Sequence, residues 1–130
     1  MPVIPIAVKA RQAEKLVLKK KAGEDLSALR LVLLDNNDEF VLANPVNYED
    51  SVTVGVTLTA ALTGVGVNVL MFGKLEDAFF VFPLHDNLYL SANGIITNVP
   101  PVLPVPHSVL IGQSLGAGAI FVRIDQPIIL

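Results

Sequence analysis

The chain contains no cysteine, two histidines and, over most of its length, almost no charge. Without cysteine there are no disulfides and no thiolate metal sites. Two histidines alone do not make a zinc centre, which needs four ligands or three and a water. No apolar run reaches the roughly 18 residues that carry a helix across a bilayer. The opening Met-Pro-Val-Ile-Pro-Ile-Ala-Val lacks a basic region followed by a long apolar one, so a secretory leader is not expected. A net charge of −3 argues against nonspecific nucleic-acid binding.

Charge is unevenly placed. Residues 1–50 hold 15 of the 21 charged side chains, and residues 51–122 hold four: Lys74, Glu76, Asp77 and Asp86. Monomer surfaces carry far more Lys, Glu, Arg and Asp than this. The chain is 52% apolar with a mean hydropathy of +0.60. The expectation is that other subunits cover much of the charge-poor stretch. At 130 residues the chain fits one domain burying roughly two-thirds of its unfolded surface. The basic run Lys19-Lys20-Lys21 reads as a solvated edge, since lysines protect exposed strands from stray pairing.

The pattern is predominantly β. Residues 1–25 read as an extended arm or edge segment. Pro2 and Pro5 split the apolar Val3 to Val8, and Lys9 to Lys21 fits a helical turn or a strand equally well. Residues 26–130 read as the β domain. Leu29-Arg-Leu-Val-Leu-Leu and Phe40-Val-Leu-Ala flank Asp35-Asn-Asn-Asp, whose side chains bond their own backbone. Val52-Thr-Val-Gly-Val-Thr-Leu-Thr alternates and is β-branched. Ala78-Phe-Phe-Val-Phe reads as the most apolar strand. Asn93-Gly94 marks a hairpin, because its turn needs positive φ twice. The prolines at 100, 101, 104 and 106 read as a stiff extended crossing. Ser108 to Leu115 and Ala119 to Ile124 form a closing strand pair. The apolar Pro127-Ile-Ile-Leu is expected to be packed against something.

One echo runs through the chain. Ser51-Val-Thr-Val-Gly-Val-Thr-Leu matches Ser108-Val-Leu-Ile-Gly-Gln-Ser-Leu. A small-residue turn follows each, Gly64-Val-Gly66 or Gly116-Ala-Gly118, and then another β run. Two related hairpins, each bent at a glycine, suit a barrel or sandwich. The predicted architecture is all-β, a compact β-barrel or β-sandwich of about 8–10 short strands with an extended N-terminal arm.

Catalytic and metal motifs fail on inspection. Gly112-Gln-Ser114-Leu-Gly116 matches a nucleophile elbow, but both histidines, His85 and His107, precede the serine and no helical pattern follows. Asp35, Asn37 and Glu39 alternate like a calcium loop but lack its central Gly and terminal Glu. Gly64-Val-Gly-Val lacks the Lys-Ser/Thr of a phosphate loop. Adjacent Glu76 and Asp77 point to opposite faces of a strand and make no acid/base pair. The expectation is therefore no enzyme, no cofactor, no metal and no small-molecule substrate.

Leu88-Tyr-Leu-Ser-Ala-Asn-Gly-Ile-Ile-Thr-Asn-Val-Pro-Pro, Val109-Leu-Ile-Gly-Gln-Ser-Leu and Ile120-Phe-Val-Arg-Ile-Asp-Gln-Pro-Ile-Ile-Leu resemble a pattern in small structural proteins of tailed bacteriophages. These are capsid decoration proteins, head fibres and attachment domains of tail fibres. Val54-Gly-Val-Thr-Leu-Thr-Ala-Ala, with Gly64, Gly66 and Gly73, resembles the same group, so the likeness spans roughly residues 29–130. It implies a homotrimer on a virion, contacting the major capsid protein or a tail protein, with no nucleic acid and no membrane. A tail-fibre or baseplate attachment protein is the alternative within that group; a monomeric ligand-binding β-barrel is the alternative outside it. The expected oligomer interface is Phe79, Phe80, Phe82, Leu88, Tyr89, Ile111, Phe121, Ile128 and Leu130.

Overall fold

The computed structural model describes residues 15–130. Its strands are β1 (Lys15–Lys21), β2 (Leu31–Leu34), β3 (Phe40–Leu42), β4 (Gly55–Thr57), β5 (Gly66–Glu76), β6 (Asn87–Leu90), β7 (Ile96–Thr97), β8 (His107–Ser108), β9 (Leu110–Ser114), β10 (Ala119–Arg123) and β11 (Ile128–Ile129). One short helix, α1 (Tyr48–Ser51), starts where the Asn47 side chain accepts the Asp50 amide. The described residues are nearly all β, as predicted. A strongly curled antiparallel sheet forms a half-barrel with strand order β3-β2-β4-β5-β10-β9-β6-β7, and β1 lies on the other edge of β5. β8 and β11 make a separate two-stranded ribbon.

The echo in the sequence is a duplication in space. Val32 pairs with Gly55 across β2 and β4, and Leu88 pairs with Gly112 across β6 and β9. Leu34 pairs with Phe40 as Leu90 pairs with Ile96. Thr57 pairs with Val69 as Ser114 pairs with Ile120. Each unit closes on a first strand: Leu18 of β1 faces Val69, and Leu75 of β5 faces Ile120. β5 is therefore shared. Its first half ends the first unit, and its second half begins the second. This is why it runs for 11 residues when most neighbours have two to five.

Small groups enforce the match. A Cβ on Gly55 would strike the Leu70 carbonyl, and one on Gly112 would strike the Phe121 carbonyl at the equivalent register. Two residues further on, a buried hydroxyl ties each strand to the loop crossing it. Thr57 Oγ1 donates to the Ser27 carbonyl at 2.7 Å, and Ser114 Oγ donates to the Phe82 carbonyl at 3.0 Å. The backbone repeats as well. The Leu29 amide reaches the Thr57 carbonyl, and the His85 amide reaches that of Ser114. Both donors hold positive φ, 61° and 73°.

Alternation along the strands fills two cores. Val32, Phe40, Val67 and Val69, with Ala22, Leu26 and Ala61, fill the interior of the first unit. The opposite face of those strands (Leu31, Leu33, Val56, Leu70) packs on Phe80, Leu88, Leu90, Ile111, Ile120 and Val122 of the second unit. That larger core holds the two units together.

Several expectations change. Residues 78–82 are not a strand. Asp77 turns the chain, its carboxylate accepting the Phe79 amide at 2.8 Å and its carbonyl the Phe80 amide. The strand expected over 52–59 shrinks to β4, with α1 just before it. The proline run is not a straight strut: Val105 bonds back to the Val102 carbonyl and folds it into a turn. Of the helical turn or strand left open for Lys9 to Lys21, Lys15–Lys21 resolves to a strand paired only with β5, and Ala22 and Leu26 after it are buried. The proposed arm at Val3 to Val8 lies outside the described residues.

Candidate functional site

The expected interface residues split three ways. Phe80, Leu88 and Ile111 are wholly enclosed by their own chain. They are core and present nothing to a neighbour, which corrects their assignment: alternation in a half-barrel turns them inward. Phe82, Tyr89 and Phe121 are half-buried, with Phe121 edge-on to Phe72 at 5.2 Å between ring centres. Phe79, Ile128 and Leu130 stand exposed.

The polar candidates are occupied structurally. Ser114 is buried, donating to Phe82 and accepting the Gly116 amide at 3.1 Å. Asp35 accepts the Asn37 and Glu39 amides of its own turn. His107 is buried in β8, with Nδ1 3.3 Å from the Pro45 carbonyl and its ring edge-on to Tyr48. His85 lies beside the Ser114 carbonyl, at the opposite end of the β6–β9 pair from His107. Among the described residues no three His, Asp or Glu side chains converge. Two exposed carboxylates are held below their usual range: Asp25 by the Thr63 amide and hydroxyl, and Glu76 by the Lys74 ammonium 2.9 Å away.

What stands out is exposed apolar surface, present in the first unit at Val46, Leu62 and Val65 and more heavily at the two ends of the second. At one end, where β6 starts and β9 finishes, Phe79 and Val81 are 66% and 77% exposed, with Leu84 and Leu115 beside them. The loop in the same place in the first unit carries exposed Glu24 and Asp25. At the other end, residues 99–106 border an open hollow of about 580 Å³, lined also by Pro45, Val46, Leu90, Ser91 and Thr97. No charged side chain lines it. Val102 and Leu103 on its rim are 71% and 68% exposed. The β8–β11 ribbon adjoins it through the Leu130 amide bonded to the Pro106 carbonyl, and carries Ile128 and Ile129, 62% and 74% exposed. The first unit spans the matching connection, of similar length, with the polar turn Asn47-Tyr48-Glu49-Asp50. The cavity thus sits where the two equivalent connections meet.

Covering side chains as open as these returns roughly 1–2 kcal/mol each. Contiguous apolar fields of this kind are sites of association on soluble proteins. The low charge of residues 51–122 was the sequence signal for them; which residues form each field depended on the loops. No protein-family model matches the chain, and no curated protein matches it.

Proposed function

We propose that this chain is a structural protein of a bacteriophage virion, a trimer that decorates the capsid or forms a short appendage on the head, and that it works by burying surface. The observation that carries this reading is the contrast between its two units. In matching loops the first unit exposes Glu24, Asp25, Glu49 and Asp50, the last two beside exposed Val46 and Tyr48, where the second exposes Phe79, Val81, Val102 and Leu103. Two apolar fields at opposite ends of one unit fit a subunit held between neighbours, one field for sibling copies and the other for the shell. The sequence resemblance to phage decoration and fibre proteins supports the same role. A place on the tail is the second reading, supported by the same resemblance.

Native mass spectrometry of the purified chain, followed by co-sedimentation with capsids built from the major capsid protein, tests the proposal. A trimer that binds heads is expected. Binding to tails alone would move the protein to the second reading. A monomer that binds neither would overturn both.

A further inference from the structure

We propose that the outer face of β6, β9 and β10 binds a neutral saccharide, seated in a hollow at Gly112 against Phe121 and held by Gln113, Arg123 and Asp125. The inference goes beyond the assembly reading and stands or falls separately from it.

The duplication shows what is unusual about this face. In the first unit Leu31 pairs with Val56 and Val56 with Leu70; in the second, Asn87 pairs with Gln113 and Gln113 with Phe121. Leu33 answers in the same way to Tyr89. The four aliphatic residues of the first unit are buried under the second. Their counterparts are two amides and two aromatic rings, all exposed or half-buried. A sibling stacked here as the second unit stacks on the first would bury the amides at a cost. A face kept only for solubility would carry Lys and Glu rather than rings.

On this face β9 bulges. Alternation from Gln113 would turn Ile111 outward, yet Ile111 is wholly buried, and the pairing with β6 slips so that Leu110 faces Tyr89. The side chain withdrawn there leaves an open hollow of about 320 Å³, lined by Leu110, Gly112, Gln113, Phe121, Arg123 and Asp125. Gln113 Nε2 donates to Asn87 Oδ1 at 3.2 Å, which leaves Gln113 Oε1 as an acceptor for a ligand. Among the described residues, neither the Arg123 guanidinium nor the Asp125 carboxylate is in an ion pair. The hollow therefore offers an aromatic ring, strong donors and strong acceptors, and its two charges cancel. A pyranose matches each of these. Its hydroxyls donate to Asp125 and Gln113 and accept from Arg123, and its C–H face meets the electron-rich ring of Phe121. An anion would meet Asp125, and a cation Arg123.

The test is an NMR titration of the isotope-labelled chain with lactose, maltotriose, cellotriose and chitotriose, and in parallel with sialyllactose, a sulfated disaccharide and free phenylalanine. At least one neutral sugar is expected to give saturable shifts at the amides of Gly112, Gln113, Phe121 and Asp125. Gln113→Ala and Asp125→Ala change exposed side chains and should each weaken that binding about tenfold or more. Phe121→Leu keeps apolar bulk, removes the ring and should weaken it as well. Val102→Asp, at the hollow beside residues 99–106, should leave it unchanged. The proposal is overturned if no neutral sugar of the panel saturates, if the shifts map to another face, or if Gln113→Ala and Asp125→Ala bind as the wild type does. Binding of only the sialylated or sulfated sugar, or only of the amino acid, makes this an ion-recognition site and overturns it equally.

Discussion

At the scale of single residues, the two bending glycines do different work from those in turns. Gly112 combines a φ of 156° with a direct approach to the Phe121 carbonyl, and Gly55 meets the Leu70 carbonyl in the same way. Gly64 has a φ of 85° and open space where a methyl would sit, so only its backbone conformation resists substitution. Gly64→Ala is therefore expected to cost about 1 kcal/mol. Gly55→Ala and Gly112→Ala should each cost about 2 kcal/mol or more, comparable to a disrupted core contact; urea melts of the three variants measure the difference. Gly94 joins both effects, with a φ of 71° and the Leu31 carbonyl against it, so Gly94→Val should be worse than Gly64→Ala. Adjacent phenylalanines make the same point about packing. Phe80→Ala should cost about 3–5 kcal/mol, whereas Phe79→Ala should leave the melt of the separate subunit nearly unchanged.

At the scale of elements, the crossing loops depend on a few polar contacts. Ser114→Ala leaves the part-buried Phe82 carbonyl short of a donor and should cost about 1 kcal/mol by thermal melt. The turn before β5 is fastened by Asp25, which accepts both the amide and the hydroxyl of Thr63 at 2.9 Å. Those bonds favour the charged carboxylate and lower its pKa in the fold. The resulting stability is present above the unfolded-state value and disappears as pH falls through the lowered folded value. Asp25→Asn should therefore melt below the wild type at neutral pH, and the gap should close in acid. β1 carries its lysines at an edge, and Lys20 reaches Asp38 at 2.7 Å, an exposed pair that holds little energy.

At the scale of the whole molecule, the shared strand β5 makes two half-barrels into one body. Its first half gives Val67 and Val69 to the interior core of the first unit and Leu70 to the joint core, and its second half gives Leu75 to the joint core, so a break between them should uncouple the two. Gly73 sits there, paired on one edge with Lys15 and on the other with Val122. Gly73→Pro removes the amide donor from that crossing and should abolish cooperative unfolding rather than merely lower the midpoint; loss of a single urea transition is the readout. The duplication also separates roles. The first unit holds most of the charge, and the second holds the loops with exposed Phe79, Val81, Val102 and Leu103 on which assembly is proposed to depend.

Much of the fold was legible in the sequence because it is written locally. β-branched alternation marked β4, β9 and β10, and the Asn93-Gly94 pair turns with φ of 58° and 71°. The matched Ser-Val-x-x-Gly segments announced the duplication through residues whose spacing backbone contact dictates. Composition alone indicated where charge was missing. What tertiary structure decided was direction. Ala78-Phe-Phe-Val-Phe has the composition of a strand, yet one carboxylate at Asp77 turns it into a loop that sends Phe80 inward and Phe79 out. Leu88 and Ile111 look like interface residues until the curl of the sheet encloses them, and the prolines look like a strut until Val105 bonds back to Val102. Short-range sterics fix turns and extended segments, but which face of an apolar segment meets water is set by the segments that arrive on either side of it, and those come from far along the chain.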